Sequence, residues 1–229
     1  MVDNAEKIVI VGAGEQGEIA WEYFTHDSPH QVVAFAVERE YLDGDTGYEG
    51  TPVVALEDLP ELYPPSEYKT FVALSSHKLN RIRARLYRQV KAMGYTCASY
   101  VSSRAFVWRN VKIGENCMIF EENVIQHFVE VGDDVVMWSG NHVGHRTKIG
   151  DHVFVSSHCV ISGYCEIGDY SFLGVNSCYG DGLKVAADNV VGAGAVIVRD
   201  TEPRKVYVGN PAKPIKDSFV TFGVVEEAA

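Results

Sequence analysis

Paired cysteines are missing from this chain: the five present (Cys97, Cys117, Cys159, Cys165 and Cys178) include no CxxC. That argues against structural zinc and redox chemistry, and three of the five fall where a small core residue is wanted. No stretch of eighteen apolar residues occurs, so no helix is expected to cross a membrane. Positive charge is in deficit, with 20 Lys and Arg against 31 Asp and Glu and a net charge of −11. This balance argues against unspecific binding to nucleic acid or anionic membranes, although a local basic cluster can still hold an anionic ligand. The opening MVDNAEKIVIVGAG lacks the basic flank and long apolar run of a signal peptide, so a cytoplasmic location is expected. With 229 residues, 46% hydrophobic and 22% charged, there is room for two modest domains.

What is present is a period. From Val101 to Ile197, every sixth residue is apolar or aromatic, seventeen times in succession and without an insertion. The next residue is glycine at 114, 132, 144, 150, 168, 174, 180 and 192. Four beyond each anchor the residue is usually small or β-branched, as at Cys117, Val135, Thr147 and Ser177. Neither a helix nor an ordinary strand has this period; a stacked solenoid does. Each hexad supplies one short strand and one turn, and three hexads close a triangular coil of eighteen residues. At ~4.8 Å per coil the prism is ~25 to 30 Å long. Glycine after the anchor relieves a steric conflict that a Cβ would create.

Ahead of the prism, residues 7–11 (KIVIV) lead into Gly12-Ala13-Gly14-Glu15-Gln16-Gly17 and an apolar-faced segment from Glu18 to Phe24. Strand, glycine turn and helix in that order let a phosphate approach the backbone at a helix amino end. A second strand is expected at Gln31–Val37, followed by Glu38 at the distance of a ribose ligand, with Arg39 beside it. A short helix is expected within Leu56–Tyr63. A strand over Lys69–Leu74 then precedes the loop Ser75-Ser76-His77-Lys78. An amphipathic helix from Leu79 to Met93 places Ile82, Leu86 and Val90 on one stripe and Arg81, Arg83, Arg85 and Arg88 largely off it. Gly94 stops it, and Tyr95–Tyr100 is expected as a last strand. The expected division is a Rossmann-like βαβ domain over 1–100, a β-helix over 101–200, and a cap and tail over 201–229. A unit this short suits a nucleotide diphosphate better than a whole dinucleotide.

Proline and glycine break the hexad after Ile197, where Arg199, Arg204, Lys205, Lys213 and Lys216 form a basic island. Such an island suits a phosphorylated ligand. The tail VVEEAA is expected to fray. Five of the eight histidines fall between His127 and His158. His127 and His145 are one coil apart on the same face, whereas His152 reads as a surface residue. His145 follows Gly144 at a corner where a side chain leaves the prism, and an imidazole there suits proton transfer. Zinc held by histidines of adjacent subunits is the competing reading; the spacing does not gather three imidazoles at one point, so no metal is expected.

The small glycine-turn domain, the hexads, GHxxxIGD at 144–151 and the closing VGNPAK together resemble the NeuD/PglD-type bacterial sugar acyltransferases over residues 6–216. The resemblance implies a left-handed parallel β-helix, a homotrimer, and acetyl-CoA in the groove between prisms. It implies His145 as general base and Gly12, Gly14 and Gly17 near nucleotide phosphates. Glu15, Gln16, Glu38, Arg39, Ser75 and Ser76 complete the expected substrate site. Gly209, Asn210, Pro211, Ala212 and Lys213 are implied near the CoA adenine and phosphates, with Gly192 joining them. Ser162 and Gly163, one coil on from His145, are expected to contribute backbone N–H groups near the thioester. Three positions depart from the pattern: Arg146 where Glu or Asp usually follows the base, Gln16 where histidine is frequent, and Trp138 in the preceding hexad. Glu121, Glu122 and Glu130 are candidates for the missing carboxylate. The implied activity is acetyl transfer to the amine of a UDP-, GDP- or dTDP-linked amino sugar for surface polysaccharide or glycan synthesis. O-acetylation of a sialic-acid-like sugar and a non-catalytic nucleotide-sugar-binding trimer are the alternatives.

Overall fold

The computed structural model describes residues 5–44 and 46–225; the last four residues of the tail lie outside this range. Every hexad from Tyr100 to Ile197 forms a two-residue strand, seventeen in all. Each pairs in parallel with its neighbours eighteen residues away, as Met118–Ile119 does with Val136–Met137. The anchors and the small residues four beyond them fill one core, from Cys117 and Ile119 to Ala195 and Ile197. The result is a three-walled left-handed parallel β-helix. Burial pushes the Cys117 thiol up to about 12 and Cys159 to about 11, so these cysteines act as small apolar filling.

The glycines after the anchors have a different task from the turns themselves. The left-handed turn residue lies three beyond the anchor, and it is more often a residue such as Asn116, Glu122, Phe128, Arg146 or His152 than glycine, which takes this place at Gly140, Gly182 and Gly194. At the glycine, an added Cβ would strike the next coil: at Gly132 it would come within 2.9 Å of Gly150. Close stacking of coils is therefore what requires glycine there.

The amino-terminal unit is a four-stranded parallel sheet, β1 (Lys7–Val11), β2 (Gln31–Val37), β3 (Val53–Ala55) and β4 (Tyr68–Val72), in the order β3-β2-β1-β4. Helices α1 (Glu15–His26), α2 (Leu59–Leu62) and α3 (Arg81–Ala92) complete it. The strand expected at Tyr95–Tyr100 is reduced to a bridge between Thr70 and Cys97 and a pair at Tyr100–Val101. Its polar groups turn to the prism instead: Cys97 N–H donates to Glu115, and Ser99 Oγ donates to Gly114 O. Helix α3 starts two residues later than expected because Lys78, Leu79 and Asn80 all have φ between +51° and +65°.

One wall of the prism, bearing Tyr100, Met118, Val136 and Phe154, shares a single core with Ile8, Ile10, Phe24, Phe35 and Phe71 of the sheet domain. This docked wall is fastened at its edges. Arg83, expected largely off the apolar stripe, is fully buried. Its guanidinium donates to Asp134 Oδ1 and Asp134 O at 2.9 Å each. His152, read from the sequence as a surface histidine, is 8% exposed, with Nδ1 2.8 Å from Asp134 Oδ2. Asn116 closes the same junction by bonding both the N–H and the C=O of Val72. On the opposite edge, Tyr23 donates to Glu121, and Asp27 accepts from Tyr100, Ser102 and Ser103. After the last hexad, Lys205–Val208 adds a parallel rung to the docked wall despite the broken register, Val190 pairing with Val206. Lys213–Asp217 returns antiparallel, and α4 (Ser218–Phe222) ends the described chain.

Candidate active site

Two separate sets of the expected residues are assembled. The first lies at the carboxyl ends of β1, β2 and β4, where the strand order reverses beside β1 and ligands bind in such sheets. A pocket of about 530 Å³ is lined there by Gly12, Gly14, Glu15, Gln16, Glu38 and Ser75. Gly12 has φ +109°, and nothing stands within 4 Å of the space beside Gly14. Gly17 is a packing residue, since a Cβ on it would overlap the Gly12 carbonyl oxygen. Glu38 faces the pocket, but its carboxylate already accepts two bonds from Arg85, at 2.7 and 2.8 Å. That hydrogen bonding holds the Glu38 carboxyl below its ordinary range.

Arg39 and Ser76 stand apart from this set. Arg39 pairs with Asp58 at 2.6 Å and is not part of the pocket lining. The Ser76 carbonyl accepts from Asn80 N–H in the left-handed turn. The wall they were expected to form comes instead from Tyr41, His77, Ile82, Arg85 and Leu86. Ser75 Oγ and His77 Nδ1 lie 2.5 Å apart. Among these, only His77 stood in a segment that the sequence singled out as a loop after a strand.

The second set lies on the prism. His145 occupies the turn between the strands His142–Val143 and Lys148–Ile149. These belong to the two undocked walls, so His145 is on the prism edge opposite the sheet domain. Gln126 Oε1 accepts from its backbone N–H at 3.1 Å. Its ring stacks on His127, centroids 5.4 Å apart, and meets Tyr164 edge-on at 5.0 Å. Arg146 leans away, its guanidinium 4.4 Å from the Phe128 ring centre. None of the carboxylates proposed to replace the acidic neighbour bonds this imidazole: Glu121 is engaged by Tyr23 and Ser139, and Glu130 by Lys112. Tyr164 and Gln126 beside His145 were missed, although the eighteen-residue period places Gln126 within one residue of the position below His145.

Gly163 lies directly over this ring, a Cβ added there falling 2.7 Å from His145 Cε1, while Ser162 sits over Gly144. The Ser162 N–H is occupied by Tyr179 O, while no described group accepts from Gly163 N–H. Of the two expected donors, only the Gly163 N–H is left free for a further acceptor among the described residues. Gly209 to Ala212 close the far end of the same wall: Val196 N–H donates to Gly209 O and Ala212 N–H to Val196 O. Three strand spacings, ~14 Å, separate this cap from the level of Gly163. Lys213, at the start of the last strand, is exposed. Gly192 sits on a different edge, against Val208. In the basic island, Arg204 pairs with Asp217 and covers the Phe219 ring.

No protein-family model matches the chain. Among solved structures, perosamine N-acetyltransferase from Caulobacter crescentus, in complex with CoA and GDP-perosamine, superposes with a TM-score of 0.80 at 27% identity. The match covers 92% of this chain and 97% of that one. The acetyltransferase domain of PglB from Neisseria gonorrhoeae, in complex with acetyl coenzyme A, gives 0.79 at 25% identity, covering 93% and 100%. WeeI from Acinetobacter baumannii, at 21% identity and a TM-score of 0.63, shares the fold. This chain has the architecture of the hexapeptide-repeat sugar N-acetyltransferases. The correspondence runs through both the sheet domain and the coils, over more than nine-tenths of each chain.

Proposed function

We propose that the protein is an acetyl-CoA-dependent N-acetyltransferase acting on a nucleotide-linked amino sugar in the cytoplasm, and that it works as a homotrimer. The observation that carries this reading is the separation of the two residue sets within one chain. The glycine-loop pocket belongs to the domain on the docked wall, whereas His145 is on the far edge. A second copy brings them together by presenting its pocket to the first copy's imidazole. The wall next to His145 supports that arrangement, because its outward residues include Phe106 and Val160, 52% and 45% exposed. Trp108 and Tyr164 extend the apolar surface along the edge.

In this reading the nucleotide phosphates rest on the backbone at Gly12 and Gly14, at the amino end of α1. The pantetheine arm runs along the His145 edge from the Gly209–Ala212 cap toward Gly163. The sugar amine attacks the thioester carbonyl, forming the C–N bond, while His145 removes the ammonium proton. Gly163 N–H stabilises the oxyanion, the C–S bond breaks, and the proton passes to the departing thiolate. GDP-perosamine and CoA in the Caulobacter enzyme supply the chemical precedent for both substrates. Incubation with acetyl-CoA and UDP-, GDP- and dTDP-linked amino sugars, read by product mass, tests the activity. His145→Ala is expected to lower kcat by about 10²- to 10⁴-fold with the trimer intact; full activity in that variant would remove the base assignment.

A further inference from the structure

A second cleft, of about 840 Å³, lies on the other side of Ile82 and Arg85 from the glycine-loop pocket. It is bounded by the exposed flank of α3, by Tyr170 on the prism edge, and by Phe219 to Val225 at the carboxyl end. Helix α3 is unusual in an acidic protein. It carries Arg81, Arg83, Arg85, Arg88 and Lys91 and no carboxylate. Four of these five are neutralised from outside the helix, by Asp188, Asp134, Glu38 and Glu115 respectively.

Arg88 is not. Its described partner is the neutral hydroxyl of Tyr170, at 2.8 Å. Lys78, just ahead of the helix, has only the carbonyl of Gly223, at 2.9 Å. Both charges therefore stand without a carboxylate among the described residues, and both line the same cleft. The segment that holds Lys78 there is the run of three left-handed residues, Lys78 to Asn80. Backbone strain of this kind persists where the surrounding structure imposes it, and it concentrates at ligand sites. Leu79 supplies the imposition by packing on Val190, Val206 and Phe219.

We infer that this cleft is a binding site for an organic phosphate, distinct from the glycine-loop pocket. The phosphate sits between Lys78 and Arg88, with the Arg81 guanidinium fixed 3.5 Å over the Tyr170 ring beside them. The organic part lies against Ile82, Phe219 and Val224. Charge-assisted bonds from a guanidinium and an ammonium complement a phosphate dianion, and among the described residues the site offers it no opposing carboxylate except those already spent on Arg81 and Arg85.

The test uses phenyl phosphate and inorganic pyrophosphate as probes in calorimetric titration of the full chain, at ionic strength held constant with chloride. Lys78→Met and Arg88→Gln alter the cleft without touching the glycine-loop pocket, whose lining contains neither residue. The wild-type chain is expected to bind phenyl phosphate saturably, and each variant to weaken it by about tenfold or more. Unchanged melting of Arg88→Gln without ligand separates lost binding from lost folding. Equal binding by wild type and both variants would place the anion at the glycine loop and overturn the inference. Binding of pyrophosphate with no gain for phenyl phosphate would overturn the organic half of it, and binding of neither probe would overturn the whole.

Discussion

Two walls of the prism, wound from the same hexad, carry opposite surfaces. Outward along one run Lys112, Glu130, Lys148, Glu166 and Lys184, alternating in sign, with ion pairs at 2.9 Å (Lys112–Glu130) and 3.1 Å (Lys184–Glu166). Outward along the other run Phe106, Val124, His142, Val160, Cys178 and Val196. The third wall is apolar too, and it is covered by the sheet domain. The inward residues are alike on all walls, so the core decides only that a prism forms. The outward residue of each strand decides whether a wall suits water, its own domain or, in the proposed trimer, another copy.

The contrast can be broken most severely at Val160. Val160→Asp is expected to place a charge in the proposed copy-to-copy contact, dissociate the proposed trimer and lower activity by more than about a hundredfold. Lys148→Ala on the charged wall is expected to change neither. Light scattering with initial rates reads both, and a trimeric, active Val160→Asp would refute the assignment of that wall.

The docked wall offers the next largest effect. Arg83→Met leaves Asp134 buried beside His152 and is expected to cost about 3–5 kcal/mol in urea unfolding. Arg85→Met breaks a pair whose arginine is 48% exposed, and is expected to cost under about 1 kcal/mol. Equal losses would mean that burial of the Arg83 junction contributes nothing. Smaller than the Arg83 loss, Gly132→Ala and Gly144→Ala are each expected to cost about 1–3 kcal/mol, because a Cβ at either collides with the next coil. Similar values would show that coil stacking makes the same demand on the charged and the apolar wall.

The smallest effect is set by pH. Burial pushes the Asp27 carboxyl up, but bonds from Ser103, Tyr100 and Ser102 outweigh it and hold it at about 2. A carboxyl depressed by folding stabilises the folded chain above its ordinary value of 3.8, and that contribution fades as pH falls toward 2. Melting temperature in wild type is expected to fall across this window more steeply than in Asp27→Asn. Parallel curves would show that the junction draws nothing from that charge.

How far the sequence could be read follows from the same division. The six-residue period survives because each anchor sees an almost identical environment, so Val101 to Ile197 could be placed before any coordinates. The glycine turn was legible for a similar reason, since close backbone approach leaves few choices at Gly12 and Gly14. Arg83 and His152 were misplaced because their burial depends on where two units meet, which no local pattern records. Arg39 was misread because strand ends with paired charges look alike until Asp58 and Arg85 are seen to divide them. The position of His145 on an edge was legible, but the direction taken by Arg146 depended on Phe128 one coil below.

The seam sealed by Arg83, Asn116 and Asp27 makes the two units of each chain a single solid piece. A junction built from a shared core and buried polar bonds opposes bending between them. In the trimer proposed above, discrimination between one sugar and another then rests on the contour where neighbouring copies abut, and changing that preference calls for reshaping the contour rather than loosening a joint.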